Sequence, residues 1–164
     1  MNITKRIIVL LLLSISCIGC DQTSKYYASE HLPKNGMTSH FGDTLRIGYT
    51  ENRGAFLGIG KDLPEKTRFL VFTGLASVFL IGFLFYMLFS QTINLHSLVP
   101  LVLIFSGGAS NVYDRIVNNG AVIDFLNVGV GNTLRTGIFN IADMAILLGG
   151  FLFVFTTYQT TENH

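Results

Sequence analysis

The chain has 164 residues, of which 49% are hydrophobic and only 13% charged, with 14 Phe, no Trp and a formal net charge of +1. A soluble domain carries about 25% charged residues, so this composition excludes a water-soluble enzyme, and its aromatic content excludes a disordered chain. A charge near zero without a clustered basic face gives nucleic acid nothing to bind. The chain reads as a membrane protein.

The first apolar run, Ile7 to Cys20, follows Lys5 and Arg6. It imitates a secretory or lipoprotein signal, with Gly19-Cys20 at the cleavage position. Cys17 stands where such signals usually carry Leu, and further apolar runs follow, so a retained helix over about residues 7–26 is expected. Cys17 and Cys20 form a C-x-x-C without a second pair or a nearby His. That is too few ligands for zinc, and a redox pair needs an accessible thiolate. They are expected to be small packing residues.

The stretch from Asp21 to Arg68 reads as a long connecting loop and holds seven of the 11 Lys and Arg. Its middle, Thr44 to Phe56, has the β-branched and aromatic content of a strand and is followed by Gly58 and Gly60. A β-rich lobe over about residues 30–66 is therefore expected outside the membrane. The run from Phe69 to Phe89 carries no charge and can cross a hydrocarbon core of about 30 Å. A third run, Leu98 to Val112, is broken by Gly107-Gly108 and ends in polar residues, for a span over about 98–113. Paired glycines of this kind let helices approach closely. The segment Asn111–Asn140 leads to the fourth run, Ile141 to Tyr158, whose single charge is Asp143.

Two of these runs are short against the usual ~20 residues, but polar flanks can extend a helix at the interface. The expected architecture is one integral membrane domain over residues 1–164: all-α, with four transmembrane helices and a small β-rich extramembrane subdomain between helices 1 and 2. Lys5 and Arg6 favour a cytoplasmic N-terminus by the positive-inside rule. Four spans then return the C-terminus to the same side.

Apart from Lys5, Arg6 and the tail residue Glu162, the charged groups at the span ends are few and fall at one membrane face. Asp21 and Lys25 end span one, Asp114 and Arg115 end span three, and Asp124, Arg135 and Asp143 lie at or before the start of span four. Charges beside hydrocarbon are costly and are functional candidates by default. Some have a structural explanation. Asp21 and Lys25 are spaced as a helix ion pair, Asp114-Arg115 reads as an ion pair or anchor, and Asn140-x-x-Asp143 has the form of a helix N-cap. Asp124 is hardest to explain this way, because apolar residues flank it on both sides. Two neighbouring carboxyls in a poorly solvated site share a proton, one acting as base and the other as acid. That chemistry needs no metal and no cofactor. Periodicity alone does not choose the pair among Asp114, Asp124 and Asp143.

Five blocks in order carry a resemblance: Asp21-Gln-Thr-Ser-Lys25, Asn52-Arg-Gly-Ala-Phe56, Gly107-Gly-Ala-Ser-Asn-Val-Tyr-Asp-Arg115, Val122-Ile-Asp-Phe125 and Phe139-Asn-Ile-Ala-Asp143. With them the chain resembles the lipoprotein signal peptidases (signal peptidase II) over nearly its whole length. The resemblance implies an aspartic endopeptidase of the bacterial cytoplasmic (inner) membrane. It would remove signal peptides from diacylglyceryl-modified prolipoproteins, cut just before the lipidated Cys near the outer face, and be inhibited by globomycin-like antibiotics. It further implies catalysis by Asp124 and Asp143, with Asp21, Lys25, Asn52, Gly54, Asn111, Asp114, Arg115 and Asn140 in support. Arg53 and Phe56 would cover the peptide like a clamp. The implied partners are the prolipoprotein and membrane lipid, with the protein acting as a monomer.

Two positions depart from the family pattern. Ser110 stands where Gly is usual, and Arg135-Thr-Gly-Ile precedes Phe139 where Pro is often near. Two other classes stay open from the residues: a small proton-coupled membrane protein using the same carboxyls as a relay, and a catalytically divergent binder of lipidated peptides.

Overall fold

The structure, a computed structural model, describes residues 1–55 and 59–162. Four helices dominate it: α1 (Ile3–His31), α2 (Glu65–Phe89), α3 (Leu95–Val117) and α4 (Ile141–Glu162). Among the described residues α1, α2 and α3 are each long and apolar enough to cross a membrane. Their outward faces are rows of exposed apolar side chains, such as Phe79, Phe85 and Phe89 on α2 and Phe151 and Phe155 on α4. Water-soluble monomers rarely expose large contiguous apolar patches, which mark membrane or partner contact.

The helices run past the expected span ends, and the polar residues explain why. The inward stripe of α1 is Arg6, Leu10, Ser14, Asp21, Lys25 and Ala28, all buried. Its spacing keeps one face, and the Asp and Lys on it are paired inside the bundle. The connecting segment therefore begins after His31, not at Asp21. In α2 a single π-helical stretch, Leu70–Leu75, interrupts the α-helical ladder. The N-terminus of α3 is capped by Asn94, whose side chain accepts from Ser97 N at 3.0 Å.

The expected β-rich lobe is a four-stranded antiparallel sheet in the order β1 (Thr38–His40), β2 (Leu45–Asn52), β3 (Val122–Val130), β4 (Leu134–Arg135). The architecture is mostly helical with one small antiparallel sheet, as expected, but the assignment of the β-rich lobe to the segment between helices 1 and 2 is corrected. Half of its strands come from the connection between α3 and α4. A two-stranded ribbon alone is marginal, and β3 supplies the edge that β2 needs. The pairing of Thr50 with Asp124 follows a register shift between Ile47 and Thr50. Such bulges re-aim strand residues beside functional sites. Gly48 lies in that irregular stretch, where a Cβ would meet the Gly36 carbonyl at 2.6 Å.

The bundle has two chemically different ends. At one, Leu10, Met87, Ile93, Leu98, Leu101 and Val102 form an apolar core. Arg6 is buried there too, and its guanidinium donates to the carbonyls of Met87, Leu88, Ser90 and Ile93. It caps the end of α2 and the turn into α3, and is not a free flanking charge. At the other end the buried residues include Asp21, Lys25, Asn111, Asp114, Asp124 and Asn140.

Helices α3 and α4 make the closest helix pair, and glycine permits it. A Cβ at Gly107 would collide with the Ala142 carbonyl, and one at Gly149 would lie 2.7 Å from the Pro100 carbonyl. Gly107→Ala is expected to lower stability by about 1–3 kcal/mol, as overpacked sites do. Gly82→Ala, with nothing within 4 Å, is the control that should leave the melting temperature in detergent unchanged or raise it.

Candidate active site

The polar end is built by α1, β2, β3, α3 and the start of α4. Asp124 comes from β3, where its side chain is buried between the sheet and the helices. Its Oδ1 accepts from Asn140 Nδ2 at 2.6 Å and its Oδ2 from Asn52 Nδ2 at 3.0 Å. Asp143 sits in the first turn of α4. Its Oδ1 accepts from Asn111 Nδ2 at 2.9 Å and its Oδ2 from the Asn140 N–H at 3.3 Å. Asn140 returns the favour, its Oδ1 accepting from Asp143 N at 2.9 Å. The expected N-cap is thus present as a reciprocal capping box, and the capping residue also holds Asp124.

Behind the two carboxyls stands Lys25. Its ammonium lies 2.7 Å from Asp21 and 2.9 Å from Asp114, and donates to Asn111 Oδ1 at 2.9 Å. Asp21 and Lys25 form the expected i,i+4 pair, but buried. Asp21 in addition accepts from the backbone N–H of Ala142 at 2.8 Å, so it caps α4 from another helix. Asp114 and Arg115 do not pair with each other. On a helix, consecutive residues diverge by about 100°, a consequence of 3.6 residues per turn. Asp114 accordingly turns to Lys25 and to Ile123 N (3.1 Å), whereas Arg115 reaches Gly54 O (2.9 Å) and Asn111 O (3.3 Å).

Asn52 and Gly54 are joined by a tight turn, in which Gly54 N donates to Asn52 Oδ1 at 2.9 Å. All ten residues singled out in the sequence therefore meet in one connected hydrogen-bond network. Arg135 does not join it. It lies in the far part of the sheet, bound to Asn127 and to the Asp43 carbonyl. Asp43 there is held well below the usual carboxylate range, first by its hydrogen bonds from Arg46 and Ser39. Phe56, the tip of the expected clamp, lies outside the described residues. Of the two cysteines, Cys20 is exposed and so is not a packing residue, whereas Cys17 is half-buried.

Two members of the network were missed. Gln22 Nε2 donates to Ser110 Oγ at 2.9 Å and to Asp114 Oδ1 at 2.8 Å. Ser110 Oγ donates to Asp21 Oδ2 at 2.7 Å. The available signal was that both stand one residue from a candidate, Gln22 beside Asp21 and Ser110 beside Asn111. The Ser110 hydroxyl fits its surroundings, donating to Asp21 and accepting from Gln22.

A cleft of about 600 Å³ opens between α2, α3 and α4. Its walls are apolar, including Val71, Phe79, Ile104 and Leu147, while Asp124, Asp143, Asn111 and Arg115 line it as well. Arg115 is braced over the Phe72 ring at 5.9 Å. A second, polar cleft of about 500 Å³ reaches Asp124 and Asn52 from the sheet side, past Glu51, Lys61 and Asp62. Asp124 thus stands between an apolar cleft and a polar one. Burial, then the neighbouring Asp143 charge, push its carboxyl up to about 7, against the hydrogen bonds from Asn52 and Asn140 and the field of Lys25. Among the described residues no cluster of His, Cys, Asp and Glu is arranged to hold a metal ion.

Removing Lys25 would leave Asp21 and Asp114 buried without their cation. Lys25→Met is expected to cost about 3–5 kcal/mol, read as a lower melting temperature in detergent. Adding Asp114→Asn to it should recover part of the loss.

Comparison with known proteins matches this geometry to a family. Residues 13–159 fit the model of the family described as signal peptidase (SPase) II. The chain is 32% identical to the lipoprotein signal peptidase of Syntrophus aciditrophicus over 155 residues, 94% of this chain and 95% of that protein. It is also 32% identical to that of Borreliella burgdorferi over 144 residues, 85% and 84% of the two chains. Among solved structures, a bacterial membrane enzyme determined by the in meso method at 2.3 Å superposes with a TM-score of 0.78. It shares 27% identity, with 94% of this chain and 90% of that one covered. A family match over most of the length, joined to several apolar helices, makes this a multi-pass membrane protein that belongs to the signal peptidase II family.

Proposed function

We propose that the protein is an aspartic endopeptidase that removes the signal peptide from diacylglyceryl-modified prolipoproteins. The observation that carries this reading is the pair Asp124 and Asp143, held by one shared asparagine where an apolar cleft meets a polar one. The signal peptide is an apolar helix and lies in the cleft beside α2 and α4. The chain beyond the lipidated Cys lies toward the polar cleft, which also admits water. The two carboxyls carry one proton between them. The ionised one takes a proton from a water molecule, whose oxygen adds to the scissile carbonyl. The protonated one hydrogen-bonds the developing oxyanion, and a proton then passes to the leaving amine as the C–N bond breaks.

Asn52, Asn111 and Asn140 position the carboxyls. Lys25, with Asp21 and Asp114, holds α1, α3 and α4 together around them. Arg115 and Gly54 tie the loop after β2 to α3, and Arg53 on that loop covers the substrate as a clamp. In this reading all four helices span, α4 included, both termini are cytoplasmic, and the cut falls just before the Cys near the outer face. Globomycin-like peptides compete for the same cleft. A single chain provides the whole site, as a monomer.

Purified protein in detergent, given a diacylglyceryl-modified prolipoprotein, should release the signal peptide in a gel-shift assay, and unlipidated substrate should resist. Asp124→Asn and Asp143→Asn should each reduce cleavage by at least about 10³-fold, the scale on which loss of general acid–base chemistry is felt, while melting near the wild-type temperature. Full activity in either variant would end the assignment of the pair. The pH profile supplies a second test. Because Asp124 keeps its proton up to about pH 7, cleavage should fall as the pH rises through about 7, where the pair loses the proton it shares. Asn52→Leu removes a hydrogen bond that favours the charged form, so the basic limb of its residual activity should move to higher pH.

A further inference from the structure

A further cleft of about 940 Å³ lies on the outside of the bundle, where α2 begins and α3 ends, and shares Arg53 and Arg68 with the polar cleft beside Asp124. Arg53, Lys66 and Arg68 line it, with Glu65 as the one acid among its lining residues. Moving along α2 from Lys66 to Gly74, about 12 Å of helix at 1.5 Å per residue, the wall becomes apolar. Phe69 and Leu70 on α2 face Ile116 on α3 across it, and these three are 50%, 62% and 60% exposed. The cleft is therefore cationic at the membrane face and apolar toward the hydrocarbon.

The cations are only partly engaged. Arg53 donates to Glu51 at 3.0 Å and to the Asn119 carbonyl at 3.3 Å. Arg68 gives one N–H to the Lys61 carbonyl at 2.7 Å. The Lys66 ammonium makes no hydrogen bond or ion pair among the described residues. Guanidinium and ammonium groups at this level recognise phosphate oxygens, and basic clusters beside a membrane segment attract anionic lipid. An apolar wall directly below them suits an acyl chain carried by the same molecule.

We propose that this cleft binds the headgroup of an anionic phospholipid from the surrounding bilayer. Its phosphate lies against Lys66 and Arg68, and its chain runs along Phe69, Leu70 and Ile116. Arg53 and Lys66 stand near the two ends of the segment joining β2 to α2, and Asn52, next to Arg53, holds Asp124. A headgroup that reaches Arg53 as well, across the same cleft, bridges those ends. It is thereby placed to steady the rim of the carboxyl-bearing cleft, a consequence that rests on the peptidase reading, whereas the binding itself does not.

The test uses the full chain in nanodiscs of phosphatidylcholine, with or without phosphatidylglycerol, and reads lipid retained by native mass spectrometry together with melting temperature. Wild type should retain phosphatidylglycerol over phosphatidylcholine and melt higher in its presence. The double variant Lys66→Gln/Arg68→Gln should lose about ten-fold in that preference, the equivalent of one charge-assisted contact. Equal retention of the two lipids, or an unchanged preference in the variant, would overturn the site. Equal stabilisation by soluble glycerol phosphate would overturn a lipid as its ligand. Neither readout needs turnover, so failure here is distinguishable from failure of the peptidase assignment, which the cleavage assay alone decides.

Discussion

Burying the Lys25 ammonium between Asp21 and Asp114 is the constraint on which the polar end of the molecule depends. An isolated charge taken from water into this bundle would cost several kcal/mol, and its retention requires partners at hydrogen-bond distance. Asp21 is on the same helix as Lys25, but Asp114 is on α3, and Asn111, the third partner, is one turn of helix before it. Satisfying one cation therefore sets the depth and rotation of α1 against α3. The second oxygen of Asp21 then reaches the first turn of α4, so the same solution positions α4.

The consequence for Asp124 and Asp143 is electrostatic. The end of the bundle gathers four carboxyls, Asp21, Asp114, Asp124 and Asp143, against two cations, Lys25 and Arg115. Lys25 is committed by contact to the first two. Asp124 and Asp143 are left with amide donors from three asparagines, which orient a carboxylate without neutralising it. An excess of acid in a poorly solvated place favours retention of a proton, in keeping with the raised value for Asp124. Neutral donors are what an acid–base pair needs, because a cation in direct contact would hold both members ionised.

The apolar end answers a different problem. A tight turn between α2 and α3 leaves the last carbonyls of α2, and those of the turn itself, without intrahelical partners. Arg6 supplies four hydrogen bonds to them from a third helix. Between the two ends, Gly107 and Gly149 bring α3 and α4 close enough for Asn111 to touch Asp143. Arginine at one end, a buried lysine at the other and glycine between them fix the frame. The apolar surface outside meets only lipid, which does not discriminate among frames.

Composition and the lengths of the apolar runs were enough to determine a membrane protein with several helices, because transfer of side chains into hydrocarbon is a local property of each segment. The gathering of Asp21, Lys25, Asp114, Asp124 and Asp143 at one face was legible for the same reason: charges are scarce there, and consecutive spans must alternate direction. Ends of helices were not, since Asp21 and Lys25 look like a terminus until a partner helix makes them interior. Nor was the second half of the sheet, whose strand Val122–Val130 interrupts its β-branched pattern with Asp124 and Asn127. The partner of each charge was decided only by tertiary structure. Asp114 and Arg115 adjoin in sequence yet diverge on the helix, and Gln22 and Ser110 gain their roles only from atoms some 90 residues away. Sequence specifies which groups must be satisfied, but packing chooses which ones meet.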